Sequence, residues 1–251
     1  MCIVLGVLFC GIDTMADFYD NFDSYSDGNL DAVSGGIWVK AGDAPNFPLK
    51  VKTVGTSKVA SQYPVNDYRG ADFLHYAPTS NNGMPNGGAD YTVSVDIDID
   101  GNAYGGISDD GRFGVVGRLQ DNSTYVYAYI LIDLPSAGAS TANLWIQRNG
   151  TSIWWANGVP ISYLNDNLGH ITMTMTGANV HIEANWGTSY SKTEDFTVSG
   201  NLLNAGPAGV NARDYHGNNY YVMGNFDNFS VVPEPATIAI LISGLGFLRR
   251  R

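Results

Sequence analysis

Asp96-Ile97-Asp98-Ile99-Asp100 sets three carboxyl groups two residues apart, and in an extended chain positions i, i+2 and i+4 project from one face. Paired carboxylates on one surface can divide the roles of nucleophile and general acid in sugar hydrolysis. Asp96, Asp98 and Asp100 are therefore the candidate catalytic set, and the alternative is the solvated polar face of an outer strand. A second constellation surrounds Asn149-Gly150, a dipeptide that supplies the positive torsions of a two-residue hairpin. Reflection about that turn sets Trp145 opposite Trp154 and Leu144 opposite Trp155. Leu144, Ile146, Ile153 and Trp155 then make an apolar, core-facing side, and Trp145, Trp154, Gln147 and Ser152 make the other. Flat indoles beside hydrogen-bonding side chains suit the apolar faces of pyranose rings. Trp145, Trp154 and Gln147 are the candidate ligand-binding residues, unless a loop or a second sheet covers both indoles. Trp186, Tyr163 and Arg118 are weaker candidates, Arg118 more as a brace for a cross-strand carboxylate or carbonyl.

Other chemistries find less footing. Calcium takes oxygen ligands, but no run has EF-hand spacing, and Asp side chains also bond turn backbones. No other cofactor is indicated. His75, His170, His181 and His216 share no ligand-type spacing and read as ordinary surface or strand residues. There is no Gly-x-Ser-x-Gly elbow and no phosphate-binding glycine loop. A formal charge of −11 with no clustered Lys or Arg in the body argues against nucleic acid and suits neutral sugars, cations or plain solubility.

The elements that would position these residues are strands. Tyr91 to Asp100 alternates apolar and polar without a break, and further period-two runs cover Gly114 to Leu119, Thr124 to Ile132, Asn143 to Arg148, Ser152 to Ala156, His170 to Thr176, Asn179 to Asn185, Gly209 to Ala212 and Tyr220 to Val231. Thr176-Gly177-Ala178 reads as a hairpin turn slightly longer than Asn149-Gly150. Pro78 to Ala89 reads as a long polar loop. No stretch keeps a helical period, and 30 glycines, 15 tyrosines and 15% charged residues suit a sheet protein with many turns. At 251 residues one core is the default.

Both ends read as processing segments. Cys2 to Ile12 is an apolar run followed by Thr14-Met15-Ala16, which fits a signal peptide over residues 1–16 cleaved after Ala16, with both cysteines leaving in it. Its positive n-region is missing, so the signal start can lie further upstream. Val232-Pro233-Glu234-Pro235 precedes the apolar run Ala236 to Leu248 and then Arg249-Arg250-Arg251. That run is short against the ~20 residues of a stable membrane span, and the arginines would hold its end at the cytoplasmic side. The order of Pro-Glu-Pro, short apolar helix and basic stop resembles the PEP-CTERM sorting signal of Gram-negative and related bacteria. The resemblance covers residues 233–251. It implies transient inner-membrane insertion, cutting near Pro233, Glu234 and Pro235 by an exosortase-type membrane protease, and delivery to the cell envelope or extracellular matrix.

Within residues 17–232 the order of landmarks is similar to the concanavalin A-like, laminin-G-like jelly rolls. Asp20-Asn21-Phe22-Asp23-Ser24-Tyr25 and Trp38 stand near the start, Tyr91 to Val95 and Gly114 to Asn122 in the middle, and Gly209 to Ala212 and Asn225 to Val231 at the end. This implies an all-β protein, a two-sheet antiparallel β-sandwich whose first and last strands are neighbours, and, as in lectin-type jelly rolls, a structural calcium where those strands meet, with Asp23 and Asp227 as its candidates. The tail adds a C-terminal hydrophobic helix. The Asp96/Asp98/Asp100 spacing also resembles the Glu-x-Asp-x-Glu strand of laminarinase-type hydrolases on this fold, with aspartates in place of both flanking glutamates. The expected function is binding of extracellular polysaccharide or matrix. The alternatives are a glycan hydrolase or lyase and a structural matrix protein without a ligand.

Overall fold

The computed structural model describes residues 18–41, 49–61, 72–77, 89–99, 110–121, 123–135, 139–214 and 224–233. In chain order the strands are β1 Phe18–Asp20, β2 Gly28–Asn29, β3 Val39–Lys40, β4 Lys50–Val54, β5 Ser57–Ser61, β6 Asp72–Ala77, β7 Tyr91–Ile99 and β8 Asp110–Gly117. They continue with β9 Val126–Asp133, β10 Thr141–Arg148, β11 Thr151–Pro160, β12 Gly169–Thr176, β13 Asn179–Trp186, β14 Tyr190–Thr197, β15 Ala208–Asp214 and β16 Gly224–Pro233. Short α-helices α1 (Leu30–Val33) and α2 (Ile161–Asp166) and one 3₁₀ turn complete the described elements.

All pairings are antiparallel, in two sheets. One runs β14-β13-β12-β7-β16-β5-β4-β2, with β1 also on β16, and the other runs β11-β10-β9-β8-β15-β6-β3. The expected sandwich is present, and its first and last strands are neighbours, Phe18 facing Val231. The apolar positions of β7 (Tyr91, Val93, Val95, Ile97, Ile99) are all buried in one core with Phe113, Val115, Ile130, Leu144, Ile146, Met173 and Ile182. The expected tail helix, with Ala236, Leu248, Arg249, Arg250 and Arg251, lies outside the described residues, as do the signal segment, Asp100, His216, Glu234 and Pro235. Strand β16 runs one residue past the expected end of the body, to Pro233, which is buried and faces Tyr91.

Two turns need glycine's freedom. Gly150 (φ +80) closes β10–β11, and Gly177 (φ +55) closes β12–β13. The second turn is tighter than expected, because Thr176 already pairs with Asn179. A further difference is β14, whose Lys, Glu and Asp hide its strand character from a hydrophobic pattern.

The first turns of the chain are held by one buried carboxylate. Asp20 accepts hydrogen bonds from Trp38 Nε1 at 2.7 Å, from the Tyr25 hydroxyl at 2.5 Å and from the Phe22 amide at 2.7 Å. Around it Phe18, Phe22, Trp38 and Phe229 pack as a ring cluster, with Trp38 4.9 Å from Phe229 between centroids. Burial and then the bond to Asp20 push the Tyr25 hydroxyl far above its ordinary pKa. Phe22 holds φ +60, a torsion that costs a bulky residue, and the bond from its own amide to Asp20 offsets that cost. Asp20→Ala leaves Trp38 N–H and Tyr25 O–H without their acceptor, and a loss of about 3 kcal/mol is expected. Urea unfolding monitored by tryptophan fluorescence measures it, and an unchanged midpoint would contradict this role.

Candidate functional site

The β10–β11 hairpin carries the indoles. Trp145 faces Trp154, Gln147 faces Ser152 and Ile146 faces Ile153, as reflection about the turn requires. Beyond Trp145 the register shifts, and Leu144 pairs with Ala156 rather than with Trp155. Extra residues bulge out of β11 there, which a turn-anchored count cannot foresee. Leu144 and Ile146 are buried in the core, so Trp145, Gln147, Trp154 and Ser152 belong to the outer face of the sheet. Trp154 is 45% exposed and Trp145 half-buried against it, the rings 4.5 Å apart in a T-shaped contact. Neither indole is buried beneath a loop or the second sheet.

Polar groups stand on both sides of the indoles. On one side Gln147 Nε2 lies 3.5 Å from Ser152 Oγ, while the Gln147 Oε1 atom is buried without a hydrogen-bond partner. On the other, Asn143 donates to Asp133 Oδ2 at 3.2 Å, from positions that face each other across β10 and β9. Leu131, paired with Trp145, closes the inner flank, and Tyr127 and Tyr129 stack beyond it at 4.6 Å and 13°. Asn143 and Asp133 escaped the sequence reading. The available signal was their place two residues from Trp145 and Leu131 on the same sheet face.

The carboxylates stand elsewhere. Asp96 and Asp98 project from the outer face of the other sheet, on the far side of the sandwich from the indoles. Asp98 Oδ2 accepts from Asn225 at 3.2 Å. Asp96 Oδ1 meets His170 Nδ1 at 2.6 Å and Oδ2 accepts from Asn228 at 2.8 Å. His170 Nε2 continues the chain to Thr172 Oγ1 at 3.0 Å, and the Tyr19 hydroxyl donates to Asn228 Oδ1. His170, taken as an ordinary strand residue, is a partner of Asp96 because β12 lies beside β7 with the two residues in register. Asp23 accepts from the Lys58 amide of β5 at 2.8 Å and from Asn21 Nδ2 at 3.0 Å, and Asp227 from the Asn228 amide within β16 at 2.7 Å. Among the described residues no three His, Cys, Asp or Glu side chains are grouped to hold a metal ion.

Three weaker candidates are structural. Trp186 is fully buried and donates to the Leu164 carbonyl at 3.0 Å, with Gly169 opposite because a Cβ there would sit 2.6 Å from the ring. The Tyr163 hydroxyl bonds the backbone of Trp186 and Ser189. Arg118, fully buried, donates to the carbonyls of Ala89 at 2.6 Å and Leu202 at 3.1 Å and pairs with Asp90 at 3.2 Å, the bracing role expected of it.

No protein-family model matches the chain, and no curated protein matches it in sequence. Solved structures with a similar arrangement of strands include legume-type lectins. Peanut lectin with a nonapeptide is 9% identical, over 87% of this chain and 98% of that one, with a TM-score of 0.49. Lectin II from Ulex europaeus is 10% identical over 86% and 97%, with a TM-score of 0.48. The GH43 protein BlXynB from Bacillus licheniformis is 11% identical over 86% of this chain and only 39% of that one, with a TM-score of 0.47.

The electrostatics of the Asp96 face give a pH dependence. Burial works to raise the Asp96 pKa, but the hydrogen bonds from His170 and Asn228 and the charge of His170 outweigh it, and the net value lies below the ordinary one. Asp227 is shifted the other way, by burial and by the charges of Asp23, Asp96 and Asp20. A carboxyl with a lowered native pKa contributes stability above its unfolded pKa and loses it as pH falls through the native value. Asp96→Asn is expected to cost about 1 kcal/mol at neutral pH, given the partial exposure. The gap to the unsubstituted protein should close in urea unfolding as pH falls through and below the ordinary carboxylate range. A gap constant over that range would rule out the ionised Asp96 as its source.

Proposed function

We propose that this chain is an exported carbohydrate-binding β-sandwich that takes neutral extracellular polysaccharide on the outer face of β9, β10 and β11. One observation carries the reading: an exposed Trp154 braced edge-on by Trp145, with hydrogen-bonding pairs Asn143/Asp133 and Gln147/Ser152 on either side. An indole held in place by a second ring is pre-organised, so little side-chain freedom is lost on binding. It offers a flat apolar surface to the C–H face of a pyranose ring. The flanking amides and carboxylate then reach the ring's hydroxyls, which set orientation and specificity. The net charge of −11 repels acidic polymers and leaves neutral ones indifferent.

Affinity electrophoresis through gels containing individual polysaccharides tests this. Retardation on at least one neutral glycan is expected, weakened about tenfold or more by Trp154→Ala. Unretarded migration on every glycan, or full retardation of the Trp154→Ala protein, would sink the proposal.

The proposal includes sorting by the tail. Export by the N-terminal segment and cutting near Pro233, Glu234 and Pro235 by an exosortase-type protease would free the sandwich into the envelope or matrix. Because Pro233 closes β16 against Tyr91, a cut beyond it leaves the sheet whole. Intact-mass measurement of the protein secreted by its native host should find Arg249 to Arg251 removed. Their retention would end this part of the reading.

A further inference from the structure

Strand β14 is the outermost strand of its sheet, and among the described residues it pairs with β13 alone. Its residues alternate between half-buried (Tyr190, Lys192, Glu194, Phe196) and exposed (Ser191, Thr193, Asp195, Thr197). Such an edge is a template for another strand unless its side chains forbid pairing. The sequence of β14 is self-complementary. A two-fold axis normal to the sheet keeps inward residues inward, so it must pass through a residue. Centred on Thr193, it sets Lys192 against Glu194 of a second copy, twice by symmetry, Tyr190 against Phe196, and Ser191 against Asp195. Centred on Lys192, Glu194 or Asp195, it sets a charge against itself. Centred on Ser191 or Phe196, it leaves too little overlap to hold. Lys192 has no ion pair among the described residues, whereas Glu194 is anchored at 3.0 Å by Arg148, which also lies 4.5 Å over the Phe196 ring.

We infer that two copies of this chain associate through antiparallel pairing of their β14 strands, centred on Thr193, joining their sheets into one. Opposite charges and aromatic pairs directly across strands stabilise such an edge. The same axis leaves the outer faces of both copies on the same side, so two Trp145/Trp154 surfaces would present together to one polymer. The dimer does not depend on that surface binding sugar, and either claim can fail alone.

Sedimentation equilibrium of the full chain tests the pairing, with Lys192→Glu, Thr193→Cys and Ser191→Cys variants. A concentration-dependent dimer is expected, its dissociation constant raised about tenfold or more by Lys192→Glu, which turns two opposite-charge pairs across the joint into two like-charge pairs. Under mild oxidation Thr193→Cys should give a disulfide-linked dimer in excess of the unsubstituted chain, and Ser191→Cys, equally exposed but far from its own copy in this register, should not. An inward lysine on an edge strand can also serve to block pairing. A monomer at every concentration, as such blocking would give, or equal cross-linking by both cysteine variants would overturn the inference.

Discussion

The last described strand has to enter the middle of a sheet. β16 lies between β7 on one side and β5 and β1 on the other, and it brings Phe226, Phe229 and Val231 into the core. It serves two partners on one edge, Asn225 and Phe226 pairing with β5 and Phe229 to Val231 with β1, while against β7 it bulges between Asp227 and Ser230. Asn228, at φ +51, takes the left-handed torsion that the bulge requires. The cluster held by Asp20 packs onto this strand through Trp38 and Phe229. The sheet is therefore completed only when the chain has been delivered through Pro233. Pairings so distant in sequence close long loops and fold slowly.

Strand parity then distributes the chemistry. In a two-layer sandwich each strand gives alternate residues to the core, and what remains is dealt to one of two outward faces. β7 sends Asp96 and Asp98 to one face, and β10 sends Trp145 and Gln147 to the other. No side-chain rearrangement brings Asp96 and Asp98 to Trp145 and Trp154, so these two sets do not share one site. On the carboxylate side the lone pairs of Asp96 are engaged by His170 and Asn228, which leaves it a tie between β7, β12 and β16. The indole side keeps an exposed aromatic surface with hydrogen-bonding capacity to either side of it.

Periodicity made much of this legible. The unbroken alternation of Tyr91 to Ile99 and the Asn149-Gly150 turn contain in themselves the parity that decides which residues face out. What was not legible depends on neighbours far away in sequence. His170 and Asp96 meet across a β12–β7 pairing that neither local sequence specifies. The bulges of β11 arise between strands and displace the partner of Leu144 from Trp155 to Ala156. The strand character of β14 rests on its pairing with β13, since its inward positions include Lys192 and Glu194, residues that no hydrophobic pattern selects. Asn143 and Asp133 join the candidate site only once β9 is known to lie beside β10.

The two sheets end on the same side of the molecule in strands of opposite character. β11 carries Gly158 at φ +61, two register shifts and a terminal Pro160, which twist it, break its ladder and remove a donor. Such an edge resists extension by another strand. β14 keeps a straight register with β13 from Tyr190 to Thr197, and only its charges regulate what can pair with it. A bulged margin costs little to a strand whose task is to display side chains, and it is on β11 that Trp154 stands exposed. Where the edge is regular the backbone itself is the available surface, and where it is irregular the side chains are. The contrast between β11 and β14 thus divides this side of the sandwich into a margin that displays side chains and an edge that displays backbone.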